Sequence, residues 1–452
     1  MRKYLITSVV LFLCFVQLVT ATPLDEYIGA LDENYSYSLA KTVTGRGYTA
    51  YVIDMTSQSW RSRTEVNRTL WRHWLTIIKP DKASGDKALL WITGGNNDDP
   101  APAQVDQMLL GIALGSNSVV TELRMVPNQP LVFPDDGGPK YEDAIIAYTF
   151  DKYFTTADVN WPLLLPMVKS AVRAMDTVQD YLSSLDSAAL DVNEFVVSGG
   201  SKRGWTTWLT AAVDERVIAI VPVVIDVLNM KEQMKHHFSA YGFYSDAIED
   251  YVEKNIFDRL GTPEGLALME IVDPYRYRGR YTMPKYLINS TGDQFFLPDS
   301  SQFYFRDLPG EKYLRYVPNT DHSLGGSDAD KSLMVFYEAV LGGLPRPEFS
   351  WVVKDDDSIE INTVTVPVEV KLWQASNQNA RDFRLETIGR AWTSSILSQQ
   401  GDGLYLAKVE QPQQGWKAFF VELTFESGLG VPYKFTTQVH IVPDTLPFAS
   451  QN

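Results

Sequence analysis

The sequence predicts an α/β protein: a mostly parallel sheet flanked by helices and carrying a helical insertion, followed by a C-terminal all-β domain of sandwich type. Three observations carry this expectation. From about residue 45 to 345, short runs rich in β-branched residues alternate with helical patterns. Inside that stretch, residues 228–282 lose strand alternation and become rich in Met, Tyr and Phe, as a lid would. Beyond Gly342-Gly343-Leu344-Pro345-Arg346-Pro347 the pattern turns strictly alternating, with Gly, Asn and Asp turns about every ten residues. At 452 residues the chain is too long for one compact domain. The expected division is a leader at 1–21, an α/β domain at 22–344 with the lid at 228–282, and a β-sandwich of immunoglobulin or fibronectin III type at 345–452.

The elements follow in order. Arg2 and Lys3 precede an uncharged apolar run, and Val19-Thr20-Ala21 offers small residues for cleavage, leaving Thr22 as the first mature residue. An uncleaved anchor is the other reading, but the run is near the short end for a spanning helix. The only cysteine is Cys14, so a mature chain would hold no disulfide, thiolate metal site or cysteine nucleophile. Residues 50–54 and 74–78 read as early antiparallel strands, and 88–93 as a buried strand ending in Gly94-Gly95. A helix over about 102–114, a strand at 119–126 and a long amphipathic helix over 162–185 follow. Strands at 194–198, 217–225, 285–289 and 314–318 complete the sheet, and a last helix covers 329–342. Asp and Glu number 56 against 40 Lys and Arg. This acidity repels nucleic acid and anionic lipid. Asn34, Asn67 and Asn289 open glycosylation acceptor patterns, the last too near a strand end to serve well.

Chemistry concentrates at Gly199-Gly200-Ser201-Lys202-Arg203-Gly204, between a predicted strand and a predicted helix. A serine on such a tight turn projects its hydroxyl above the sheet, beside helix N-terminal amides that can hold an oxyanion. Arg203 stands where the second glycine of G-x-S-x-G is expected, and a turn that merely caps the helix is the competing reading. A nucleophilic serine needs an imidazole and an orienting carboxylate, in the chain order Ser, acid, His for an α/β-hydrolase fold. His322 follows the last sheet strand in Pro318-Asn319-Thr320-Asp321-His322-Ser323. Asp293 follows the preceding strand, and Asp226, one strand earlier, is the alternative acid. Asp299 and Asp321 are weaker candidates that shape their loops. The oxyanion donors expected are the Lys202 amide and, from the loop after residue 93, the amide of Gly95 or Asn96. Asp98 and Asp99 read as a solvated loop. No metal or cofactor motif is present, and none is expected.

These motifs resemble the PhoPQ-activated pathogenicity-related family, which includes autocrine proliferation repressor-like proteins. The resemblance rests on residues 197–205 and 224–229, extended by Trp91-Ile92-Thr93-Gly94-Gly95-Asn96, by Gly292-Asp293-Gln294-Phe295-Phe296 and by 318–322, over roughly residues 25–445. It implies an exported α/β-hydrolase with a C-terminal β domain and leaves the substrate open. The turn Ser201-Lys202-Arg203-Gly204 is also similar to that of glucuronoyl esterases, in which a basic residue follows the serine and helps hold the oxyanion. Here lysine replaces arginine, and the planar donor group is lost.

Three functions compete. The first is a secreted serine hydrolase acting on a small or polymer-borne ester, with a peptide as the less favoured substrate. The second is a secreted signalling protein whose hydrolase fold is a scaffold and whose partner is a cell-surface receptor. The third gives the C-terminal domain a sugar platform of Trp373, Trp392 and Trp416, although tryptophans in a sandwich are more often core.

Overall fold

The computed structural model describes residues 21–186 and 189–449. Residues 1–20 of the expected leader, Cys14 among them, lie outside this range. After helix α1 (Pro23–Gly29), strands β1 (Ser36–Gly45), β2 (Tyr48–Ser59) and β3 (Leu70–Pro80) form an antiparallel meander. Strands β4 (Lys87–Ile92) and β5 (Val119–Leu123) flank helix α2 (Gln107–Ser116), and the two-residue strands β6 (Leu131–Val132) and β7 (Pro139–Lys140) form a small hairpin. Helices α3 (Glu142–Thr156) and α4 (Leu164–Ser183) then lead to β8 (Glu194–Gly200), α5 (Lys202–Val213) and β9 (Val217–Val223). Strands β4, β5, β8 and β9 pair in parallel, joined by β10 (Lys285–Ser290) and β11 (Lys312–Val317). Both faces of this parallel region are covered. Along β8, Val196 packs into one buried cluster and Val197 into the other, which is the period-two alternation of a sheet buried on both sides.

Residues 230–280 carry no strand. They form α6 (Met230–Tyr241), α7 (Glu249–Glu253), α8 (Ile256–Arg259), α9 (Pro263–Val272) and a 3₁₀ segment at Pro274–Arg280. This is the helical insertion between β9 and β10 that the aromatic composition implies.

After α10 (Ala329–Leu341), strands β12 (Phe349–Val353), β13 (Ile359–Thr363), β14 (Glu369–Asn377), the short helix α11 (Leu385–Ile388), and strands β15 (Thr393–Ile396), β16 (Leu404–Ala407), β17 (Trp416–Phe425), β18 (Tyr433–Thr436) and β19 (His440–Val442) complete the chain. They form two layers. One is the small sheet β12-β13-β16. The other joins the main sheet: β18 pairs antiparallel with β11 at Leu314 and Thr436, and β17, β14 and β15 follow outward. The result is a 14-stranded sheet running through the position where the sequence changes texture. Ile359, Ile361 and Tyr405 of the small sheet share a buried cluster with Val421 and Leu423 of the large one, and with Phe336 and Tyr337 of α10.

Trp392 is 3% exposed and packs on Phe420, so it does not join Trp373 and Trp416 in an exposed platform. The acceptor pattern at Asn289 is equally inaccessible, since that side chain is 4% exposed within β10, whereas Asn34 and Asn67 are exposed.

Candidate active site

Ser201 lies between β8 and α5 with φ 57° and ψ −130°, a backbone state that L-residues adopt only when their surroundings enforce it. The enforcement is visible. Ser201 N donates to Val223 O (2.8 Å), and the chain reverses so sharply that two glycines have no room for a side chain. A Cβ on Gly199 would lie 2.9 Å from Ile92 O, and one on Gly204 would lie 2.6 Å from Ile225 Cγ2. The glycines that the turn requires therefore stand two residues before and three after the serine. Gly200 has open space instead. This explains how Arg203 is tolerated. Its guanidinium turns away from Ser201 to donate to Val126 O (2.6 Å) and to both oxygens of Glu142 (2.7 and 2.6 Å).

Asp293 and His322 are joined. His322 Nδ1 donates to Asp293 Oδ2 at 2.8 Å, which leaves Nε2 as the acceptor nitrogen. Asp293 Oδ1 accepts from Phe295 N (2.8 Å), so the carboxylate is held from both sides. Asp293 is 3% exposed. His322 Nε2 is buried and has no hydrogen-bond partner among the described residues, Ser201 included. The link between Ser201 and His322 runs through Phe295, whose ring lies 4.3 Å from the imidazole and also lines the cavity beside Ser201.

Asp226 occupies a different environment. It is fully buried and accepts hydrogen bonds from the Tyr304 and Tyr316 hydroxyls, the latter at 2.6 Å. Burial pushes its carboxyl up to about 7, against the lowering effect of both tyrosines. No histidine contacts it among the described residues. Asp299, another loop candidate, holds His236 Nε2 (3.0 Å) and Arg381 (2.7 Å) in a buried cluster, and Asp321 caps its own loop through Ser323.

The Lys202 amide opens helix α5. Its side chain, 6% exposed, enters the cavity lining and is clamped by Glu142 (2.7 Å) and Asp143 (2.9 Å). Burial alone would raise the Glu142 carboxyl, but Arg203 and Lys202 hold it at about 2. Glu142 and Asp143 are functional neighbours that the serine motif does not reveal, because they lie some sixty residues earlier at the start of α3. In the other expected donor loop, Asn96 N is engaged by Asp99 Oδ2 at 2.8 Å. Gly95 has φ 140°, and a Cβ there would lie 3.1 Å from Met125 Cγ. Neither residue lines the cavity at Ser201. Among the described residues no cluster of His, Cys, Asp and Glu could hold a metal ion.

The cavity is bounded by α5, the ends of β9 and β10, and the insertion helices, and it measures about 40 Å³. A larger cleft of about 590 Å³ lies between residues 301–313 and 347–351, and Ser201 is not in its lining.

Among solved structures the chain is similar to two acetyl xylan esterases. The one from a Thermoanaerobacterium species is 15% identical, with a TM-score of 0.48, over 70% of this chain and 93% of the other. The one from a Paenibacillus species is 14% identical, with a TM-score of 0.49, over 72% and 96%. The autocrine proliferation repressor protein A of Dictyostelium discoideum is 37% identical over 98% of this chain and 94% of its own length. The profile of one family matches residues 24–384, spanning the turn at Ser201 and the loops of Asp293 and His322. With that match and the Dictyostelium relative together, the chain belongs to the PhoPQ-activated pathogenicity-related protein family.

Proposed function

We propose that the protein is an exported serine hydrolase that cleaves an ester through an acyl-enzyme. The observation that carries the reading is the Asp293–His322 bond, with a free Nε2, at the same sheet edge as a serine held at φ 57°. In the reaction, Ser201 Oγ attacks the ester carbonyl while His322 Nε2 takes its proton. Asp293 holds the Nδ1 tautomer and stabilises the imidazolium. The oxyanion is held at the N-terminus of α5 by the Lys202 amide. His322 then returns the proton to the departing alcohol, and water repeats the sequence on the acyl-serine. Proton transfer requires a hydrogen bond between Ser201 Oγ and His322 Nε2 in the complex with substrate. Export rests on the leader pattern. Thr22, the expected first mature residue, caps α1 through a reciprocal bond pair with Asp25, so a chain beginning there keeps its first helix intact.

A second reading follows from the name of the Dictyostelium relative: a signalling protein that uses the fold as a scaffold to meet a cell-surface receptor. Labelling with a fluorophosphonate probe separates the two. Wild-type protein labels, Ser201→Ala does not, and His322→Ala labels far more slowly. A folded wild type that stays unlabelled removes the hydrolase reading and leaves the receptor.

A further inference from the structure

From the cavity beside Ser201 we infer that the acyl group transferred to the serine is short and uncharged, an acetyl group or one carbon longer. The inference rests on the hydrolase reading above and specifies its substrate.

Size comes first. At about 40 Å³, the cavity is far smaller than the roughly 150 Å³ apolar cavity that holds a benzene ring. Its free space matches a two- or three-carbon acyl group better than a longer chain or an aromatic ring. Its walls are large apolar side chains from separate elements: Trp205 of α5, Met230 and Met234 of α6, Ile248 and Phe257 of the insertion, and Phe296 after β10. Several of the large rings are fixed. The Trp205 indole donates to Val272 O (2.6 Å), and the Tyr251 hydroxyl donates to Asp143 (2.8 Å). Phe257 is packed between Tyr244 (4.7 Å) and Tyr251 (5.8 Å). Widening the cavity on the side of Trp205, Tyr251 and Phe257 therefore means breaking buried hydrogen bonds or displacing packed aromatic groups.

Charge comes second. The charged groups in the lining are Lys202 and Asp143, and they satisfy each other, with Glu142 on the same ammonium. Neither is free to meet a charged acyl chain. A dicarboxylic or aminoacyl group would enter without a counter-charge, at the cost that burying an unpaired ion carries. The polar corner thus excludes charged acyl groups, while the apolar walls exclude long ones.

The acyl–oxygen bond breaks as the Ser201 ester forms, and the alcohol leaves with the proton held by His322. Only the acyl part must fit the cavity, so the alcohol can be large or polymer-borne.

The test is a series of p-nitrophenyl esters from acetate to octanoate, on the full-length mature protein, with Ser201→Ala supplying the background. The expected result is Ser201-dependent kcat/KM at least about 10-fold higher for acetate than for butyrate, and lower again for octanoate, in line with about 10- to 200-fold per methylene in a filled pocket. Phe257→Ala and Met234→Ala, each first shown to melt cooperatively, move the optimum toward butyrate or hexanoate. A flat or rising Ser201-dependent profile overturns the inference and leaves the hydrolase reading standing. So does an acetate optimum that neither variant shifts, because the walls then do not set the limit. No Ser201-dependent cleavage of any ester removes the hydrolase reading and this inference with it.

Discussion

Asp226 and Asp293 leave neighbouring strands of one sheet and meet opposite surroundings. Asp293 meets an imidazole and a backbone amide, whereas Asp226 meets two tyrosine hydroxyls and no cation. Two predictions separate them. Asp293→Asn removes the acceptor that holds the His322 tautomer and lowers ester turnover by about 10⁴-fold, as measured by steady-state kinetics. Asp226→Asn leaves the Asp293–His322 pair intact and changes stability instead. The Asp226 carboxyl rises from its ordinary value of 3.8 to about 7 in the fold, so the folded state keeps a proton that the unfolded chain releases. Its contribution is fully present below about pH 4 and is lost as the pH climbs through 7, on the order of a few kcal/mol. Melting the two proteins side by side from pH 5 to 8 isolates this effect, because the other titrating groups are common to both. Asp226→Asn should gain on the wild type as pH rises, and a constant gap would refute the assignment. At this scale the serine turn and the order Ser201, Asp293, His322 were legible, since each is a local pattern after a strand. The sequence favours Asp293 over Asp226 by its place one strand before His322, but the bond between them depends on which loop faces the imidazole, and that is seen only in the structure. The clamp on Lys202 was hidden for the same reason.

At the scale of elements, the loops of the acid and the base share a support that comes from the C-terminal region. Gly292, beside Asp293, offers its carbonyl to Leu385 N at 3.0 Å, and a Cβ there would meet Thr320 O at 2.6 Å. Asn319, near His322, exchanges two bonds with the backbone of Trp392 (2.9 and 3.0 Å). Asn319→Ala breaks both without touching the cavity. It should lower kcat with little change in KM, while the protein still melts as one unit; an unchanged kcat would mean that the segment at 385–392 is merely packed there. Arg381 makes a heavier contact. It is 1% exposed and neutralises Asp299, which also carries His236. Arg381→Ala leaves that carboxylate buried and underpaired and should cost about 3–5 kcal/mol, readable by denaturant titration. The insertion helices were legible from composition, and α4 from its amphipathic stripe. Helix α3 was not. Residues 145–150 are buried all round, so no polar face marks a helical period. Strand β1 was missed for the opposite reason, because it lies at the sheet edge with no buried residue.

For the whole molecule, the decisive feature is that the main sheet does not stop at the change in sequence texture. The alternating pattern after residue 345 correctly signals strands, but pairing partners are invisible to periodicity, and β18 chooses β11. Phe435 of β18 packs on Tyr313 (4.1 Å) of β11 and on Tyr286 (5.2 Å) of β10, and Lys434 pairs with Asp328 at 2.7 Å. A chain ending at 344 would therefore expose the β11 edge and uncover a buried cluster that Phe419, Phe425, Tyr433 and Phe435 now close. At about 1.5–3 kcal/mol for each large apolar side chain returned to water, these four alone approach the whole 5–15 kcal/mol that keeps a typical protein folded. An open, apolar parallel edge is also a template for aggregation. Full-length protein should thus unfold in one calorimetric transition, and a 22–344 fragment should be recovered aggregated or without cooperative melting. A soluble fragment that melts sharply and still reacts at Ser201 would show that the two regions are separable and that the shared sheet is an incidental junction. The expected behaviour instead makes the C-terminal strands part of what holds Asp293 and His322 in place.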